Sequence, residues 1–154
     1  MGRRPKVLIP HATGSNRDRE AARACTLAGG DPHIVLVDHV LSGDVRLLDY
    51  QMLLLPGGFS YGDDLGAGKL WALRIRNRLG EQVAAFVDAG RPVLGICNGF
   101  QALVKSGLLP GPLTDAAAPP DEADISAVFG PAHATLTRNA SAKFECRWVH
   151  LAAN

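Results

Sequence analysis

Four short apolar runs, spaced along the chain and cut off by turn residues, limit what it can fold into more than any other feature. They are Lys6-Val7-Leu8-Ile9, Ile34-Val35-Leu36-Val37, Met52-Leu53-Leu54-Leu55 and Val93-Leu94-Gly95-Ile96. Runs of this length without polar alternation mark strands buried on both faces, the situation of a parallel sheet. Parallel neighbours need a crossover, and helical stretches stand between the runs. One is expected from Arg19 to Leu27, capped by Asn16 or Asp18 and ended by Gly29-Gly30. A second places Leu70, Leu73, Leu79, Val83 and Val87 on one face, with Gly80 as a point of division. A third covers Asn98 to Ser106 and stops at Gly107. Leu41 to Asp49 reads as a connection. The pattern predicts an α/β class: a doubly wound, mostly parallel sheet flanked by helices.

The remainder reads differently. Residues 113–125, with Ala116-Ala117-Ala118-Pro119-Pro120, read as an exposed loop insert. Ala134 to Thr137 and Phe144 to Leu151 are expected as strands about a turn at Asn139-Ala140-Ser141. At 154 residues the chain suits a single domain over 1–154. Sixteen Lys and Arg against fifteen Asp and Glu leave a net charge of +1, so no basic field holds a nucleic acid. Cys25, Cys97 and Cys146 lack metal-ligand spacing, which argues against a metal site or a disulfide framework and for a reducing cytoplasm. The apolar run after the basic start ends at Pro10, too short for a signal-peptide core, and no run suits a membrane span.

Gly95-Ile96-Cys97-Asn98-Gly99 lies between an expected strand and an expected helix, the setting of a cysteine nucleophile elbow. The turn is sharp, so the residues beside the nucleophile are crowded and glycine is required there. A thiol so placed stands at the carboxyl edge of the sheet and at a helix N-terminus, which favours thiolate. The competing reading is a buried core cysteine between structural glycines. Pro56-Gly57-Gly58-Phe59-Ser60-Tyr61-Gly62-Asp63-Asp64 follows another strand. Its glycines would let backbone N–H groups face a tetrahedral oxyanion, with Gly58 and Asn98 as the donor pair. An ordinary glycine-rich strand-to-helix turn competes with that reading.

Together these segments resemble the class I (triad) glutamine amidotransferases, and more narrowly the glutaminase components of phosphoribosylformylglycinamidine synthases. The matching stretches are Gly14-Ser15-Asn16-Arg17-Asp18-Arg19-Glu20, Pro56 to Asp63, Gly95 to Gln101, and Asn139 to Trp148. The Gly-Gly-Phe-Ser-Tyr-Gly-Asp stretch is far more specific than Gly-x-Cys-x-Gly. The resemblance implies hydrolysis of L-glutamine, with Cys97 as nucleophile and the Gly58 and Asn98 backbone N–H groups as oxyanion hole. It also implies that Gln101, Gly57 and Phe59 contact the substrate. The ammonia would pass to an ATP-dependent synthetase that converts formylglycinamide ribonucleotide to the amidine in purine biosynthesis. No phosphate-binding Gly-x-x-x-x-Gly-Lys-Ser/Thr loop is present, so no cofactor is expected here, and ATP and Mg are expected on the partner synthetase.

The family completes its triad with His-x-Glu, and none of His11, His33, His39, His133 and His150 has an acid two residues on. The expectation is a glutaminase truncated at its C-terminus, weak or inactive in isolation, with apolar surface left exposed. A catalytically incompetent module that docks the synthetase is the alternative. A third reading, the cysteine-elbow chaperones and peptidases, is opposed by the Gly-Gly-Phe-Ser-Tyr-Gly-Asp run. Cys25 and Cys146 read as packed residues, the latter on a strand, and His150 as a strand residue. Arg17 to Glu20 reads either as a solvated helix start or as part of the active-site loop or synthetase interface. Lys69 to Arg78 is a basic helix that reads as a solvated face or a docking surface.

Overall fold

The sheet is parallel throughout, in the order β2-β1-β3-β4. The computed structural model describes residues 2–111, 128–130, 133–150 and 152. Its elements are β1 (Lys6–His11), α1 (Asp18–Leu27), β2 (Asp31–Leu36), α2 (Val37–Leu41), β3 (Met52–Leu55), α3 (Lys69–Arg78), α4 (Gly80–Asp88), β4 (Val93–Gly95) and α5 (Asn98–Ser106). A 3₁₀ turn covers Leu47–Asp49, and Ser60–Asp63 is an irregular turn with Tyr61 and Gly62 at positive φ. Register pairs Leu8 with His33 on one side and Leu53 on the other, and Leu55 with Gly95. The chain steps from β1 outward to β2 and then back across to β3. The strand order therefore reverses between β1 and β3, and the crevice beyond the carboxyl ends there is where open sheets hold ligands.

The apolar runs of the inner strands β1 and β3 are buried on both faces, as their lack of alternation requires. Those of the edge strands β2 and β4 are only partly covered, with Ile34, Leu36 and Leu94 open to solvent. Val7, Ile9 and Leu54 face α1 and pack with Ala21 and the half-buried Cys25. Leu8, Leu53 and Leu55 face the opposite layer, with Val40, Trp71, Ile75, Val83, Phe86 and Leu103. Successive strand residues alternate between these two cores. Burying each such side chain contributes about 1.5–3 kcal/mol relative to leaving it in water.

Several expectations are corrected. β2 starts at Asp31 and ends at Leu36, and Val37, expected to end the strand, opens α2 instead. The N-cap of α1 is Arg17, without a side-chain cap bond, and Asp18 instead meets His11 Nδ1 at 2.8 Å. Gly80 does divide the long helical stretch, and the buried stripe of α3 differs from the expected one. Trp71, Ala72 and Ile75 point inward on α3, whereas Leu73 is exposed. Ala134–Thr137 and Phe144–His150 form no strand: no ladder partner stands beside them among the described residues, and propensity alone does not make one. Cys146 and His150 are accordingly exposed. The 113–125 insert and Leu151 lie outside the described residues. No helix among those described is long and apolar enough to cross a membrane.

Candidate active site

Three loops meet at the carboxyl edge of the sheet, following β1, β3 and β4. The first two are zipped by backbone hydrogen bonds. Arg17 N–H donates to the Gly57 carbonyl at 3.3 Å, Phe59 N–H to Gly14 at 3.0 Å, and Tyr61 N–H to Thr13 at 2.6 Å. Ser15 and Gly58 form an isolated antiparallel bridge. A side chain at Gly14 would sit 3.0 Å from the Phe59 carbonyl carbon, and φ of +87° there also favours glycine.

The third loop is the elbow. Cys97 has φ 51° and ψ −111°, a conformation that costs strain for any residue with a Cβ, and it is exposed at the N-cap of α5. A methyl on Gly95 would lie 2.6 Å from Leu103 Cδ1 and 2.8 Å from the Gly99 carbonyl oxygen. Both flanking glycines are thus needed by the packing of α5 on the sheet. The thiol opens onto a cleft of about 750 Å³ whose wall includes Arg17, Glu20, Gly57, Gly58, Phe59 and Gln101. The structure therefore brings together five of the six sequence-selected residues on one cleft: Cys97, Gly57, Gly58, Phe59 and Gln101. Asn98 is the exception, since its side chain is only 2% exposed and does not line the cleft. Its backbone still follows Cys97 directly. Neither Gly58 N–H nor Asn98 N–H donates to another group among the described residues.

The Asn98 side chain holds the two loops together. Its Oδ1 accepts from Ser60 N–H at 3.1 Å and Ser60 Oγ at 2.6 Å. Its Nδ2 donates to Asp63 Oδ1 at 3.0 Å and Gln101 Oε1 at 3.2 Å. Asp63 Oδ1 also accepts from Gly68 N–H at 3.0 Å, at the start of α3. Sequence reasoning gave Ser60 no role and offered Asp63 or Asp64 only as a helix cap, because their partner Asn98 lies more than thirty residues away. At the cleft wall, Arg17 Nη1 donates to Glu20 Oε1 at 2.6 Å, and this hydrogen bond holds the Glu20 carboxyl below its ordinary range. Burial pushes the Cys25 thiol up, in keeping with a packed residue. Among the described residues no histidine lines the cleft, and no three His, Cys, Asp or Glu side chains gather to hold a metal ion.

The family model for CobB/CobQ-like glutamine amidotransferase domains matches residues 4–154. The chain belongs to this family. It is similar to the phosphoribosylformylglycinamidine synthase subunit PurQ of Treponema denticola, 49% identical over 146 residues, covering 95% of this chain and 53% of that protein. The subunit of the same name from Dehalococcoides mccartyi is 44% identical over 149 residues, 97% of this chain and 52% of that protein. The solved structure of PurLQS from Thermotoga maritima superposes with a TM-score of 0.67 at 33% identity, covering 96% of this chain and 54% of that one. The chain spans about half the length of the curated relatives it matches. The parallel sheet flanked by helices is thus the fold of the glutamine amidotransferase family.

Proposed function

We propose that this chain carries the nucleophile half of a glutaminase site that supplies ammonia to a synthetase making formylglycinamidine ribonucleotide. The observation that carries the reading is Cys97 at a strained elbow, opening onto the same cleft as Gly57-Gly58-Phe59 and Gln101. Similarity to PurQ subunits over nearly all of this chain supports this choice of substrate and pathway. Cys97 Sγ attacks the side-chain amide carbon of L-glutamine, and the oxyanion takes hydrogen bonds from Gly58 and Asn98 N–H. Collapse with a proton delivered to nitrogen releases ammonia and leaves a γ-glutamyl thioester. Water then cleaves the thioester to glutamate and restores the thiol. ATP and Mg belong to the partner synthetase in this reading.

No histidine on the described cleft serves as general base, and no His-x-Glu pair occurs in the 154 residues. A missing base lowers the rate by about 10²–10⁴-fold. The chain alone should therefore be trapped readily at its thiol while turning glutamine over slowly. The test is alkylation by the chloromethyl ketone analogue of L-glutamine, located by peptide mass spectrometry, beside an assay of ammonia release. We expect a single adduct on Cys97, slowed by added L-glutamine and lost in Cys97→Ser. Labelling spread equally over Cys25, Cys97 and Cys146 with no protection by glutamine would overturn the reading.

A further inference from the structure

We propose that Arg17 and Glu20 form the subsite that reads the α-carboxylate and α-ammonium ends of the substrate. This rests on the glutaminase reading above and assigns the part of the cleft that recognises a free amino-acid head group. Three observations carry it.

The first is placement. A methyl at Gly57 would lie 3.4 Å from Cys97 Cβ on one side and 3.6 Å from Arg17 Cβ and Cγ on the other. Nucleophile and guanidinium stem thus flank one glycine on a common wall. In an extended glutamine the amide carbon and the α-carboxylate carbon are about 5 Å apart. A substrate with its amide at Sγ therefore needs its head-group partners on an adjoining wall, where Arg17 and Glu20 stand.

The second is chemistry. Arg17 spends one nitrogen, Nη1, on Glu20 at 2.6 Å, and its other donors bond no group among the described residues. A guanidinium fork suits a carboxylate, and the neighbouring Glu20 carboxylate suits an ammonium. Together they present the two charges of a zwitterion in reverse. The hydrogen bond from Arg17 keeps Glu20 ionised below the ordinary carboxylate range.

The third is that helix capping does not account for Arg17. It occupies the N-cap of α1 without a side-chain cap bond, at a position where Ser, Thr, Asp or Asn would satisfy a free N–H. A cation there also opposes the positive end of the helix.

The test compares Cys97 alkylation by two chloromethyl ketones, the glutamine analogue and a short-chain one without a head group. In each, the Sγ–carbon bond forms as the carbon–chlorine bond breaks and chloride leaves. The ratio of the two rates is the head-group preference, and the headless probe reports that the elbow is intact. Arg17→Ala and Glu20→Gln should lower the preference about tenfold, the scale of one charge-assisted hydrogen bond. The double variant Arg17→Glu with Glu20→Arg restores an ion pair in the opposite sense and should remain low. If it regains the wild-type preference, the pair is structural and the inference fails. An unchanged preference in Arg17→Ala would also overturn this inference alone. A wild-type protein with no preference would overturn the glutaminase reading with it.

Discussion

A methyl added at Gly99 would sit 2.6 Å from the Leu55 carbonyl carbon and 2.8 Å from Leu55 Cβ, inside β3 itself. Neither the strand nor the first turn of α5 can yield without parting the sheet from the helix that presents Cys97. Gly99→Ala should therefore cost about 1–3 kcal/mol or more, as overpacking of a dense interior does. A urea midpoint unchanged from wild type would mean that α5 does not pack this closely. The need for glycine on both sides of Cys97 was legible from Gly95-Ile96-Cys97-Asn98-Gly99 alone, since the strand-to-helix turn imposes it. The surroundings of Gly57 were not. Its neighbours are Cys97 and Arg17, brought together only when β1, β3 and β4 lie side by side.

Between elements, the Asn98 amide fastens the glycine loop to α5. Asn98 accepts from Ser60 and donates to Asp63 and Gln101, while Asp63 also holds the start of α3. Asn98→Ala would strand the Ser60 N–H and hydroxyl, both on a residue that is itself buried. Leaving such groups unpaired costs about 1–3 kcal/mol. The expected outcome is a lower denaturation midpoint together with slower alkylation of Cys97 by the glutamine analogue, as the glycine loop loosens. A full stability loss with unchanged alkylation would separate the fastening from the chemistry. Most strands and helices of the first hundred residues follow from periods and glycines that act locally, α2 being the exception. The network does not, because it joins residues more than thirty positions apart. The basic helix α3 shows the same limit. Arg74 lies 3.6 Å from Asp38 and 4.8 Å from the Tyr61 ring centroid, and Arg76 donates to the Ser106 carbonyl. Two of its cations are thereby used within the protein, which a helical wheel cannot show.

At the scale of the whole molecule, the packed sheet and residues 133–150 are in opposite environments. Trp71 is 1% exposed in the main core, whereas Trp148 is 103% exposed beside Phe144 at 91%. Ile34, Leu36, Leu94 and Ile96 are also partly open to solvent along the two edge strands and their ends. Strand propensity in Phe144 to Leu151 was legible, but strand formation needs a neighbour, and none is paired with the described part of it. The two tryptophans make this difference measurable. Trp148→Phe should leave one indole with blue-shifted emission and little acrylamide quenching, since Trp71 is sealed between α3 and the sheet. The wild-type spectrum should add a second, red-shifted and strongly quenched component. Urea should merge the two as the core opens. If the wild-type protein lacks the quenched component and gains it on dilution, the 133–150 segment is covered by a second copy of the chain. If it lacks that component at every concentration, Trp148 is covered within the chain and the open arrangement is wrong. If the component is present alone and is lost on adding the synthetase, the segment is where that partner binds, and exposed apolar side chains at Phe144 and Trp148 are what it covers.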